Sequence, residues 1–171
     1  MKEGLVEHIQ NCGFRILQPT ETDLRQMVQV RLPLEILALE LAKEVITPDD
    51  LEHLRTLKEK LVATFAAVGI GGCARIELEF HSAVWRMTKN PWIDAALRRV
   101  TVPFFVYVSA FRLHRHDLTK ERLEEQHTQY LDFLAGKSSL GARETVEKHL
   151  LQTANPDSIN SDVYPNQPKA W

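Results

Sequence analysis

From Thr20 to Gln152 the apolar residues recur every three or four positions, and that period limits what the chain can fold into more than any single motif does. Leu24, Met27, Val28 and Leu32 form one inward face behind a capping box at Thr20-x-x-Asp23. Pro33 interrupts this face, so the spacing predicts a break near Val30 to Leu32 and a second helix from Glu35 to Val45. Thr47-Pro48-Asp49-Asp50 is the clearest start signal, with an N-cap threonine, proline at the first helical position and two acids at the positive end of the helix dipole. The stripe it opens, Leu51, Leu54, Leu61, Phe65 and Val68, runs into Gly69, Gly71 and Gly72, which end it. A further helix spans about Cys73 to Thr88, with Ile76, Phe80, Val84 and Met87 inward, and stops at Asn90-Pro91, where Asn90 caps its successor. Within that successor, Val100 to Val108 is β-branched and aromatic, a strand by propensity. A single strand would find no partner among helices, so the segment is expected to be a buried helix kinked near Pro103. Two more amphipathic helices follow, from about Thr119 to Ala135 and from about Ser139 to Gln152, with Gly136 between them as a cap. The expected fold is all-α, an antiparallel bundle of about six or seven helices.

The two ends differ in kind. In residues 1–19, Gly4 to Ile9 and Phe14 to Leu17 are short β-favouring runs around an Asn11-Cys12-Gly13 turn, which predicts a hairpin. A lone hairpin is marginal, so it is expected to dock on something or to belong to a further unit. Residues 153–171 carry three prolines among polar residues and are expected to be irregular. The division is therefore 1–19, 20–152 and 153–171.

At 171 residues the chain has the size of one ordinary domain. A net charge of -2 argues against a basic surface for a phosphate backbone. Cys12 and Cys73 are too few for a disulfide framework or a thiolate zinc site and are expected to be free thiols. No apolar run approaches the length of about 18 residues that a membrane span needs, and the start MKEGLVEHIQ does not read as a signal peptide, so a cytoplasmic location is expected.

Three of the 7 histidines, His81, His127 and His149, fall on the inward stripes of three different helices, whereas His53, His114 and His116 lie in polar or flanking positions. One such histidine is usually a hydrogen-bonded core residue. Three of them, with Glu77 four residues before His81 on the same helical face, make a metal site a rival reading. A buried carboxylate is costly alone and favourable beside a cation, so the acid and the histidines support one another. Pattern alone leaves a metal site and a set of core histidines both open.

Val30-Arg31-Leu32-Pro33-Leu34-Glu35, Glu77-Leu78-Glu79-Phe80-His81, Asn90-Pro91, Glu125-Gln126-His127 and Lys148-His149-Leu150 together resemble the effector domain of FadR-type GntR transcription regulators, over about Thr20 to Leu151. The family pattern is an Arg with a Glu four residues on, an Asp-x-x-Phe-His segment, a Glu-x-His segment and a final His-Leu. This chain departs from it with Glu77 in place of Asp, one methylene longer, and with Pro33 inside the Arg-to-Glu segment. The resemblance implies a helical bundle with a divalent ion held by Glu77, His81, His127 and His149. Nitrogen and oxygen ligands without sulfur suit zinc, nickel, manganese or iron, and an ion preferring six positions keeps two for an effector. A small carboxylate or sugar acid would take them, with Arg31 offering its fork of donors to the free end. For Arg31 a salt bridge to Glu35 is the equal alternative. Arg112, before the loop at His114, is a second and weaker candidate, with simple solvation as its alternative.

The resemblance also implies that the hairpin is the wing and linker of a winged-helix domain whose helix-turn-helix is missing from this sequence, that DNA is contacted only through that missing part, and that the chain forms a homodimer. A regulator's sensor domain is thus the leading expectation and an enzyme is not. The rivals are a metalloenzyme using the open positions to activate water, and a metal-free helical module. The enzyme lacks an obvious base, because Glu79 lies on the face of its helix away from Glu77.

Overall fold

Threonines start three of the helices. The computed structural model describes residues 6–9, 13–16, 20–111 and 118–153, and these comprise strands β1 (Val6–Ile9) and β2 (Gly13–Ile16) and helices α1 (Glu21–Val45), α2 (Pro48–Val68), α3 (Ala74–Met87), α4 (Pro91–Phe111), α5 (Lys120–Leu134) and α6 (Ala142–Thr153). Thr20 and Thr47 each close a reciprocal capping box: the Thr20 hydroxyl accepts from Asp23 N–H at 3.1 Å while the Asp23 carboxylate accepts from Thr20 N–H at 2.7 Å. Thr47 and Asp50 repeat the exchange at 3.2 and 3.0 Å, with Pro48 in the first turn. Thr119 caps α5 through Arg122 N–H, and Asn90 Oδ1 accepts from Trp92 N–H ahead of α4. Gly69 stops α2 with φ +72°, a left-handed conformation that glycine adopts without steric cost, and a 3₁₀ turn, Ile70–Gly72, leads into α3.

The break expected at Pro33 does not occur. α1 runs unbroken from Glu21 to Val45, so six α-helices stand where a seventh was expected. Proline removes one N–H and thereby frees the carbonyl four residues earlier, that of Gln29. Pro33 and Gln29 are both exposed, so water takes the freed carbonyl and burial of Leu32, Ala38, Leu39 and Ala42 carries the helix through. α4 likewise continues through Pro103, with the carbonyl freed at exposed Arg99. The Val100 to Val108 segment is helical despite its β propensity because Thr101, Pro103, Phe104 and Phe105 are all buried.

The main core joins α1, α2, α3, α5 and α6 through Leu32, Leu39, Leu54, Phe80, Tyr130 and Val146. α4 closes one side, with Ile93 and Leu97 against Ala38 and Trp85, and Phe104 and Phe105 against Leu24 and Val28. Apart from the bundle, β1 and β2 pair antiparallel with Val6 opposite Ile16. Cys73 is a buried free thiol, and its pKa is pushed up to about 11 by burial and by the charge of Glu77. No helix among the described residues is long and apolar enough to cross a membrane. Arg112, His114, His116, the side chain of Cys12 and the tail after Thr153 lie outside the described residues.

Candidate metal centre

Each of the four sequence-predicted ligands sits on a buried stripe for a local reason. Glu77 and His81 are one helical turn apart on α3, so both leave the same face, and that face meets the His127 and His149 side chains. His127 comes from α5 and His149 from α6. All four are buried, and one potential ligand atom from each lies within 4.8 Å of those of the others.

Three separations define the cluster. His81 Nε2 faces His149 Nε2 at 3.0 Å, His127 Nε2 faces Glu77 Oε2 at 3.1 Å, and His81 Nε2 lies 3.7 Å from the same oxygen. The tautomer of His127 follows from its other nitrogen, which lies 2.8 Å from the Leu123 carbonyl. A carbonyl only accepts, so Nδ1 carries the hydrogen, and in the neutral ring Nε2 turns a lone pair toward the Glu77 carboxylate. Two acceptors face each other there and call for a proton or a cation between them.

Electrostatics agree with that reading. Burial, then the neighbouring His149, Arg31 and His127, hold His81 well below the ordinary imidazole value. Burial, His127 and Arg31 do the same to His149. Both rings are therefore neutral and offer lone pairs. Burial also opposes a charge on His127, but the Glu77 charge and hydrogen bond, with the Leu123 carbonyl, outweigh it and raise this one histidine.

The residues fit a divalent ion. Ligand atoms about 2.1 Å from a common centre are separated by about 3.0 Å at a right angle and by about 3.7 Å near 120°, which matches the 3.0, 3.1 and 3.7 Å separations, while the set as a whole spreads to 4.8 Å and would draw in slightly around an ion. Glu77, with its extra methylene, brings Oε2 to 3.1 Å from His127 Nε2, and its side chain is 9% exposed.

Arg31 and Glu35 adjoin the cluster. Arg31 Nε–H donates to Glu35 Oε1 at 2.9 Å, and the Trp85 indole N–H donates to Glu35 Oε2 at 2.8 Å, with both charged residues 1% exposed. The salt bridge expected as one alternative for Arg31 is present, but it uses Nε alone. Nη1 and Nη2 are buried without a hydrogen-bond partner among the described residues, and Cζ lies 5.7 and 5.1 Å from the ring centroids of Phe104 and Phe105. Glu35 Oε1 is also 3.8 Å from His81 Nδ1, so one carboxylate stands between the arginine and the histidine cluster. Glu79, by contrast, faces outward and pairs with Arg75 and Lys60.

Sequence reasoning gave neither Trp85 nor Tyr130 a part in the site. Trp85 lies one turn beyond His81, its ring stacked 6.2 Å from that imidazole, and Tyr130 lies three residues beyond His127, edge-on to His81 and His149 at 5.6 and 5.0 Å. The signal available was their i+4 and i+3 spacing from histidines on the same faces.

Comparison with known proteins adds four likenesses. The FCD domain family model matches residues 26–152. The HTH-type transcriptional regulator YdhC of Bacillus subtilis (strain 168) is 26% identical over 160 residues, which cover 91% of this chain and 67% of that protein. Among solved structures, Streptococcus agalactiae GntR superposes with a TM-score of 0.66 at 18% identity, covering 90% of this chain and 76% of that one. E. coli McbR/YncC superposes with a TM-score of 0.64, also at 18% identity, covering 94% and 75%. At that identity the two structures establish likeness of fold.

Proposed function

The chain belongs to the FCD domain family, and from that premise we propose that it is the ligand-sensing domain of a FadR-type GntR-family transcriptional regulator, binding a divalent ion and a small carboxylate or sugar-acid effector. The observation that carries the reading is the buried, convergent set Glu77, His81, His127 and His149, adjoined by an arginine whose two terminal nitrogens have no partner. Glu77 and the three histidines would hold the ion, with zinc, nickel, manganese and iron all suited to such donors. A bound ion supplies Lewis-acid positions for effector oxygens. Arg31, held by Glu35 on its Nε side, presents Nη1 and Nη2 as a fork for a carboxylate. A sensor is preferred over an enzyme because the relative YdhC is named a transcriptional regulator and because Glu79 points away from the centre.

Residues 20–152 form the effector-binding unit in this reading, β1 and β2 belong to the wing and linker of a winged-helix domain, and DNA is contacted through the helix-turn-helix of that domain. Effector binding then biases two arrangements of the bundle, which needs a coupling of only about 1 to 3 kcal/mol.

The test is elemental analysis of purified protein, followed by a thermal-shift screen of the metal-loaded form against small mono- and dicarboxylates and sugar acids. One equivalent of ion, and an acid that raises the melting temperature and is recovered unchanged, are expected. Absence of stoichiometric metal after loading would sink the metal half; turnover of the acid would make the protein an enzyme instead.

The regulator is further proposed to be a homodimer through the outer faces of α1 and α4. Val30, Leu37, Leu41 and Val45 on α1 and Trp92 and Val106 on α4 are exposed apolar residues, Trp92 at 82%. α1 and α4 pack side by side, giving a face of roughly 30 by 20 Å, on the order of 600 Å² per copy against about 800 Å² in a standard interface. Exposed Glu40 and Glu44 edge the α1 stripe and exposed Arg99 lies in that of α4, so a second copy turned about a two-fold axis meets opposite charge. Light scattering after gel filtration is expected to give a dimer at about 10 μM and a monomer for Leu37→Glu/Leu41→Glu. A monomeric wild type at that concentration would exclude this face as the interface.

A further inference from the structure

Tyr130 carries a hydroxyl that nothing among the described residues engages. The side chain is 0% exposed, and its oxygen is buried with no hydrogen-bond partner. Leaving such a group unpaired costs on the order of 1 to 3 kcal/mol, so a fully buried orphan hydroxyl marks a place where something else binds. Its surroundings say what kind of group that is. A phenolic hydroxyl donates one hydrogen bond, so its natural partner is an oxygen acceptor. Tyr130 sits beside the histidine cluster, its ring edge-on to His149 at 5.0 Å, with the Arg31–Glu35 pair on the far side of His81. The ring geometry agrees, because Tyr130 is edge-on to His81, whose Nδ1 lies 3.8 Å from Glu35 Oε1. Glu35 accepts from Arg31 and Trp85 and makes no hydrogen bond to the Tyr130 hydroxyl.

Around this point the unpartnered atoms Arg31 Nη1, Arg31 Nη2 and Tyr130 OH are all donors. A guanidinium fork takes one carboxylate, and a third donor set beside it takes an oxygen acceptor elsewhere on the same molecule. We propose that Tyr130 is an effector-contacting, specificity-determining residue, whose hydroxyl selects acids bearing an oxygen function besides the carboxylate held by Arg31, that is, 2-hydroxy acids or hydroxylated dicarboxylates. The inference rests on the effector reading above and adds to it the residue that chooses among acids. A bare aliphatic acid of the same length leaves the hydroxyl unpaired, and a site built around a polar group rejects the ligand that lacks the matching one.

The test uses matched pairs differing by one hydroxyl, propionate against lactate and succinate against malate, titrated calorimetrically into the metal-loaded full chain and its Tyr130→Phe variant. For wild type, the hydroxylated member of at least one pair is expected to bind about tenfold or more tightly. In Tyr130→Phe the two members of that pair converge to within about threefold, while metal stoichiometry and the circular dichroism spectrum stay at wild-type values. Equal binding of the members of both pairs by wild type would overturn the assignment without any variant, and so would a preference that survives in Tyr130→Phe, the result expected if the hydroxyl serves only a buried water. If wild type binds none of the four acids, both this assignment and the effector reading fail. If it binds them without discrimination, only this assignment does.

Discussion

Treating the metal-loaded protein with a chelator is expected to lower its melting temperature by about 10 °C. An ion present at about a thousand times its dissociation constant stabilises the fold by about 4 kcal/mol, and a domain of this size shifts by about 2 to 4 °C per kcal/mol. The drop has a pH dependence whose sign follows from His127. Its pKa is raised in the fold, so the stability contributed by the charged imidazolium facing Glu77 is fully present below the ordinary histidine value and is lost as pH rises through the raised one. The ion must displace that same proton, so its binding strengthens over the same window. Both effects widen the gap between loaded and stripped protein, and the chelator-induced drop is expected to be larger at pH 8 than at pH 6. In His127→Ala the drop vanishes at both pH values, and the stripped variant is itself less stable than stripped wild type because Glu77 loses its counter-charge in a buried position. A chelator effect of unchanged size in His127→Ala would remove the metal centre from these residues.

Glu35→Leu is expected to be the most damaging single change away from the four ligands, costing about 3 to 5 kcal/mol in urea unfolding. It leaves the Arg31 guanidinium buried with no acceptor and strips the Trp85 indole N–H of its partner. The double variant Arg31→Met/Glu35→Leu should recover most of that loss, because an apolar pair of similar volume needs no charge compensation. It should nevertheless show no thermal shift with any acid, since the fork of donors is gone. Stability and sensing thus separate in one pair of proteins. An acid-induced shift retained by the double variant would sink the role given to Arg31, and a cost below about 1 kcal/mol for Glu35→Leu would mean that the pair is better solvated than its 1% exposure implies.

Helix starts were legible because each is a local exchange of hydrogen bonds within four residues. Thr20 with Asp23 and Thr47 with Asp50 form their capping boxes wherever the rest of the chain goes. The inward phase of Glu77, His81, His127 and His149 was legible for a similar reason, since a 3.6-residue period puts each on the apolar side of its own helix. Pro33 was misjudged because the local rule counts a lost hydrogen bond, while the outcome depends on whether the freed carbonyl meets water or protein, and only the packed bundle puts Gln29 and Pro33 on the wet side. The same holds for Val100 to Val108, where burial of Phe104 and Phe105 against Leu24 and Val28 outweighed an intrinsic preference worth at most about 1 kcal/mol.

The sequence by itself determined which side chains turn inward, because helical phase is a property of neighbours along the chain. Tertiary structure alone decided that the inward acid and histidines of α3, α5 and α6 converge, that Glu35 accepts from both Arg31 and Trp85, and that the hydroxyl of Tyr130 has no partner among the described residues. Those are pairings between residues as far as 68 positions apart, set by how the helices cross, and no periodicity along one chain encodes the partner on another helix.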